Sequence, residues 1–157
     1  MPFKTDNASF KKQWKKELYE YITGVIQNNG HKMLQINGMP DHIHILFGLR
    51  SSQSISDLIK MVKQESSGWI NQKHFIIERF SWQSGYGAFS YSKNQLPVVI
   101  RYIQNQEQHH KKKTFNEEYL ELLKRNEIDY DENYIFKRVL KHNPYLTVRW
   151  AFILLPI

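Results

Sequence analysis

The sequence predicts an α+β domain, and three observations carry that prediction. Apolar residues recur at helical spacing in four separate stretches. Between the first two lies a pair of strand-like runs joined by Gly38-Met39-Pro40-Asp41, the pattern of an antiparallel hairpin. None of the 157 residues is cysteine. Disulfides, thiolate metal sites and cysteine nucleophiles are thereby excluded, and the chain is long enough to bury a core of its own.

The first helix carries the stripe Phe10, Trp14, Leu18, Tyr21, Ile22 and Val25, with Ser9 as the expected N-cap and Asn28-Asn29-Gly30 as its end. Lys11, Lys12, Lys15 and Lys16 fall on its expected solvated face. His31 to Asn37 reads as the first strand. In the second, His42, His44 and Leu46 point to one side and Ile43, Ile45 and Phe47 to the other. Ile55, Leu58, Ile59, Val62, Trp69 and Ile70 mark a second helix, with Ser54 and Asp57 forming a variant capping box.

Trp82 to Tyr91 reads as an irregular strand, whose glycines suggest a bulge or a close backbone approach. A third helix is expected from near Asn94, since Pro97 suits a first turn, through Tyr102 and Gln106 to His109 and His110. Thr114 and Glu117 make a capping box for a fourth, with the stripe Phe115, Tyr119, Leu122 and Leu123. Asn126 to Tyr134 is an acidic loop, and the end from Tyr145 is apolar and strand-like. Residues 1–157 read as one domain without repeats, and 138–157 as an atypical C-terminal extension.

With 22 Lys and Arg against 15 Asp and Glu, the formal charge is +7 and the pI about 9.5. Such a balance suits a polyanion, most simply nucleic acid. No stretch approaches the roughly 20 apolar residues of a membrane span, and the start lacks the apolar run of a signal peptide. A cytoplasmic protein is the expectation.

The chemistry-bearing residues are His42, His44, Tyr102 and Gln106. Side chains two apart on a strand stand about 7 Å apart at the backbone, so both imidazoles can reach one ion. Tyr102 and Gln106 are four apart and share a helix face. Imidazole and amide oxygen together suit a divalent ion such as Mg²⁺ or Mn²⁺, which can polarise a phosphodiester. A tyrosine beside it could attack phosphorus and give a covalent phosphotyrosine. Arg101, Lys111, Lys112 and Lys113 near that helix, and Lys60 and Lys63 on the second, are candidate DNA contacts; Trp82, Tyr86 and Tyr91 could stack bases. Each part has a plainer reading: a structural histidine pair, a core tyrosine, a surface amide.

These residues resemble a family. Pro40-Asp-His-Ile-His-Ile-Leu46 is similar to the His-hydrophobe-His (HUH) motif of the single-tyrosine transposases: the small insertion-sequence enzymes and the REP-associated ones. Asn37-Gly-Met-Pro-Asp-His-Ile-His, Trp82-Gln-Ser-Gly-Tyr-Gly-Ala-Phe-Ser, Tyr102-Ile-Gln-Asn-Gln-Glu-Gln-His-His and Glu117-Glu-Tyr-Leu-Glu-Leu-Leu resemble family segments in family order, over roughly residues 10 to 137. The resemblance implies a ferredoxin-like antiparallel sheet with helices on one face. It implies His42, His44 and Gln106 as ligands of Mg²⁺ or Mn²⁺, and Tyr102 as the nucleophile. The implied activity is nicking and rejoining of single-stranded DNA near a hairpin through a 5′-phosphotyrosine. A homodimer is implied in one branch, where the tyrosine helix of one chain meets the other chain's histidines, and a monomer in the other.

Two departures bear on this. Nothing ahead of the first helix reads as the family's usual first strand, which precedes that helix and sits inside the sheet. The apolar tail from Tyr145 matches no family segment. The tail could fill the vacant place, with Leu146, Val148, Trp150, Phe152 and Leu154 facing one side, or it could be accidental sequence. The rival functions are a DNA-binding remnant that recognises hairpins without cutting, and a metal-dependent hydrolase that uses water.

Overall fold

The computed structural model describes residues 7–39, 42–76, 79–82, 85–131 and 149–155. In chain order these form α1 (Asn7–Asn28), β1 (Lys32–Met39), β2 (His42–Gly48), α2 (Ile55–Lys73), β3 (Gly87–Ser90), a 3₁₀ turn (Lys93–Gln95), α3 (Leu96–Gln104), α4 (Gln106–His110), α5 (Phe115–Arg125) and β4 (Arg149–Leu155). The α+β class stands.

The helix ends follow their local chemistry. α1 starts at Asn7, which puts Ser9 inside the first turn and not at the cap. It closes on bonds from Gly30 N to Gln27 O and His31 N to Ile26 O, the paired bonds of a Schellman ending. Ser54 caps α2 by accepting from Asp57 N at 3.1 Å. Thr114 and Glu117 form the expected reciprocal box at the start of α5, with Thr114 N donating to Glu117 Oε2 at 2.8 Å. On α1, Lys16 is exposed and pairs with Glu20, whereas Lys15 is half buried against Tyr19 and lies 4.0 Å from Glu107.

β1 and β2 form the predicted antiparallel hairpin, with Met39 opposite His42 and a register shift at Leu34. Gly38 is required there, because an added Cβ would lie 2.3 Å from the carbonyl oxygen of His42. The four-stranded sheet runs β1-β2-β4-β3. β4 pairs parallel with β2 along the whole of His42–Gly48 and parallel with β3. The sheet is therefore mixed, not antiparallel throughout. Arg149–Leu155 takes the inner place in the sheet that strand replacement requires. Leu146 and Val148, and the facing of Trp150, Phe152 and Leu154, lie outside the described residues.

Helices cover both faces of the sheet, which corrects the one-face expectation. Ile43, Ile45 and Phe47 pack with Leu18, Ile22 and Ile26 of α1 and Leu58, Ile59 and Val62 of α2. On the other face, Leu46 packs under Val99 and Ile103 of α3. All of His42 to Phe47 is buried, so Leu46 needs an apolar cover as much as its neighbours do. A strand flanked on both edges and covered on both faces is the setting of an inner strand.

The irregular strand read over Trp82 to Tyr91 shortens to Gly87–Ser90. Its glycine marks a close approach: a Cβ on Gly87 would lie 2.6 Å from the Tyr119 ring of α5. Phe89 of β3 packs with Leu122 and Leu123, which lays α5 across the sheet beside α3.

Candidate metal and nucleophile site

His42 and His44 are both fully buried, with ring centroids 5.0 Å apart. A third buried histidine, His31, differs in being satisfied: Nδ1 accepts from Arg50 N at 3.0 Å and Nε2 donates to Gln53 at 2.6 Å. Against that contrast, neither ring nitrogen of His44 makes a hydrogen bond. Burial pushes the His44 imidazole below its ordinary value, outweighing the opposite pull of Glu118. The ring is held neutral with a lone pair to give, the state in which imidazole ligates a metal.

Gln106 is fully buried, and its Oε1 accepts from His42 Nε2 at 3.2 Å. Its amide nitrogen points away, 3.4 Å from Tyr102 O and 3.4 Å from Glu118 Oε1. Tyr102 is half buried, its hydroxyl is buried and unpartnered, and its ring centroid lies 5.8 Å from that of His44 in the same chain. The predicted single helix from Asn94 to His110 is broken. α3 stops at Gln104, Asn105 sits at φ −95°, ψ 22°, and α4 restarts at Gln106.

The break has a cause in β1. Asn37, opposite His44, donates its side-chain amide to the carbonyls of Ile103 at 2.9 Å and Gln104 at 3.1 Å. Those are acceptors that a continuing helix would use. Asn37 thus fastens the tyrosine helix to the histidine hairpin. Asn37→Ala removes the donor for both carbonyls and is expected to cost about 1–3 kcal/mol. A urea midpoint within error of wild type would show that the docking does not depend on Asn37.

Sequence reasoning missed Glu118. It lies on α5 and is 7% exposed, with Oε2 3.8 Å from His44 Nε2 and 3.2 Å from His110 Nε2. The signal was present: Glu118 stands three residues after Phe115 and four before Leu122, an acidic residue on the apolar stripe. Donor atoms of His42, His44 and Glu118 all lie within 4.8 Å of one another, and all three residues are buried. Two imidazoles and a carboxylate so placed, one imidazole lacking any hydrogen bond, fit a divalent metal ion.

A pocket of about 330 Å³ opens beside Tyr102, lined also by His109, His110, Lys112, Glu118 and Arg125. Lys113 also lines it and pairs with Glu121, while Arg101 and Lys111 are exposed but are not among its lining residues. Lys60 and Lys63 are not brought to the site, because α2 covers the opposite face. Lys60 is exposed. Lys63 donates to Gly85 O, sits over the Tyr86 ring, and is pushed down to about 8 by burial.

Fold and site together define an α+β domain able to hold a metal ion beside a tyrosine whose hydroxyl is buried. The chain belongs to the family described as IS200-like transposases, whose model matches residues 1–106, more than half of its length. It is also similar to the ISDra2 transposase TnpA of Deinococcus radiodurans, with 24% identity over 94 residues, covering 57% of this chain and 67% of the relative. No solved structure matches it. The family match includes His42, His44, Tyr102 and Gln106 and leaves Glu118 and β4 outside. No described helix is long and apolar enough to cross a membrane.

Proposed function

We propose that this protein is a DNA transposase that nicks and rejoins single-stranded DNA through Tyr102, with Mg²⁺ or Mn²⁺ held by His42, His44 and Gln106. The observation that carries the reading is the Tyr102 hydroxyl. It is buried and without a hydrogen bond, on a helix packed over the histidine strand of its own chain. A core tyrosine ordinarily gives its hydroxyl a partner. The substrate is a hairpin-bearing single strand, and the setting is the cytoplasm.

The ion, when bound, polarises the scissile phosphodiester and neutralises charge developing on its oxygens. Tyr102 loses its phenolic proton to solvent or a neighbouring base and forms a bond from Oη to phosphorus. The bond from phosphorus to the 3′ oxygen breaks, and that oxygen leaves as a 3′-hydroxyl after taking up a proton. A 5′-phosphotyrosine remains, in which the bond energy is conserved. Attack by a 3′-hydroxyl reverses the sequence and frees Tyr102, so no nucleotide cofactor is needed.

Lys112 and Arg125 line the pocket at Tyr102 and would bear on the strand's phosphates, Lys113 adds to them when Glu121 releases it, and the exposed Arg101 and Lys111 are further candidates. Binding through them should fall with salt at about −0.7 in log–log slope per contact. Lys60 and Lys63, across the sheet, contribute little to this path. The inner position of β4 supports treating 1–157 as one domain whose tail belongs to its sheet.

The test is incubation of 3′-labelled hairpin DNA with Mn²⁺, followed by a denaturing gel. Wild type is expected to give a protein-linked band, and Tyr102→Phe to lose it by at least about 1,000-fold, the scale on which removal of a nucleophile acts. Cleavage that survives Tyr102→Phe would identify a hydrolase using water. Binding with no cleavage by wild type would identify a hairpin-binding remnant.

A further inference from the structure

We propose that Glu118 is a fourth protein ligand of the same ion and supplies its one anionic donor. This rests on the reading of His42, His44 and Gln106 as the metal centre. A carboxylate withdrawn from water needs a counter-charge. No lysine or arginine pairs with Glu118 among the described residues; its neighbours are His44 and His110. Two atoms each bonded to one ion at about 2.0–2.4 Å stand at most about 4.8 Å apart. The donor atoms of His42, His44 and Glu118 already lie within 4.8 Å of one another.

The two carboxylate oxygens have separate work. Oε1 accepts from the Gln106 amide nitrogen, which turns the amide oxygen of Gln106 toward His42. Oε2 faces His44 and His110. Glu118 therefore orients one ligand with one oxygen and offers the other, which makes no hydrogen bond and stands 3.2 Å from His110 Nε2, to the ion. Three neutral donors would leave the full charge of a divalent ion uncompensated in a buried site, and Glu118 halves it.

Calorimetric titration of the metal-free full chain with Mn²⁺ tests this without relying on activity. Glu118→Gln keeps the shape and loses the charge, and its affinity is expected to fall at least about 10-fold. His110→Ala removes a neighbour of the carboxylate that is not itself a ligand and is expected to keep or raise affinity. Equal losses in the two variants would mean that Glu118 acts through His110 and would overturn the proposal, as would a Glu118→Gln variant within twofold of wild type. Should Glu118→Gln not fold, Glu118→Asp withdraws the carboxylate by one methylene, and wild-type affinity there overturns the proposal equally. His44→Ala separates the two levels. If it loses Mn²⁺ while Glu118→Gln keeps it, the metal centre stands and only the fourth ligand fails. If it also retains Mn²⁺, the centre itself is wrong.

Discussion

Deleting residues 144–157 is expected to abolish cooperative folding. The deletion removes β4, which pairs with every residue of β2 from His42 to Gly48. It also removes the only partner that β3 has among the described residues. β2 is covered on both faces, so its carbonyl and amide groups on the β4 side cannot be resolvated without opening the core. Buried backbone groups left unpaired cost about 1–3 kcal/mol each, and several of them match the whole net stability of a domain, about 5–15 kcal/mol. If the helices around it parted instead, β2 would become an exposed apolar edge and a template for aggregation. Circular dichroism and a thermal melt check this. A truncated protein with the wild-type melting temperature would show that the terminal strand is an ornament on a sheet complete without it.

What could be read from the sequence, and what could not, divides by range. The hairpin was legible because its two strands and its turn are contiguous, and because alternation from His42 to Phe47 assigns faces before any contact is known. The capping boxes at Ser54 and Thr114 were legible for the same reason: all their atoms come from four consecutive residues. β4 was visible as an apolar strand, but its parallel seat beside β2 joins residues about a hundred positions apart, and periodicity carries no information on pairing partners. The even burial of β2 on both faces has the same origin. Leu46 reads as the apolar member of a polar face until Val99 and Ile103 are laid over it.

At the site, the separation is sharper. His42 and His44 declare themselves by spacing two apart, and Tyr102 and Gln106 by spacing four apart. Even so, Tyr102 and Gln106 do not share one continuous helix. Asn37 interrupts the helix between them, and Gln106 reaches His42 from the start of a new one. Glu118 is separated from His44 by most of the fold, so no local rule could bring them together. A buried acid on an apolar stripe was the available clue, and it points to a need for charge balance without naming the partner.

A mixing experiment has the second large effect. Tyr102 faces the histidines of its own chain: its ring lies 5.8 Å from His44, and Asn37 of the same hairpin holds the end of its helix. On the proposed chemistry, one copy therefore contains nucleophile and metal ligands together. An equimolar mixture of Tyr102→Phe and His44→Ala should then form no more adduct than either variant alone, a loss of at least about 1,000-fold from wild type. Exchange of the α3–α4 segment between two copies predicts the opposite. A chain with intact Tyr102 would meet a partner with intact His44, and statistical pairing would restore a substantial part of wild-type adduct. Restoration would require α3 to leave Leu46, Val99 and Ile103 uncovered in one arrangement and re-cover them in another, the behaviour of a domain-swapped element. Asn37 decides which arrangement is easier to reach. If swapping occurs, Asn37→Ala should raise the complementation; if the site works within one chain, the same substitution should lower adduct formation by the wild-type frame and leave the mixture dead.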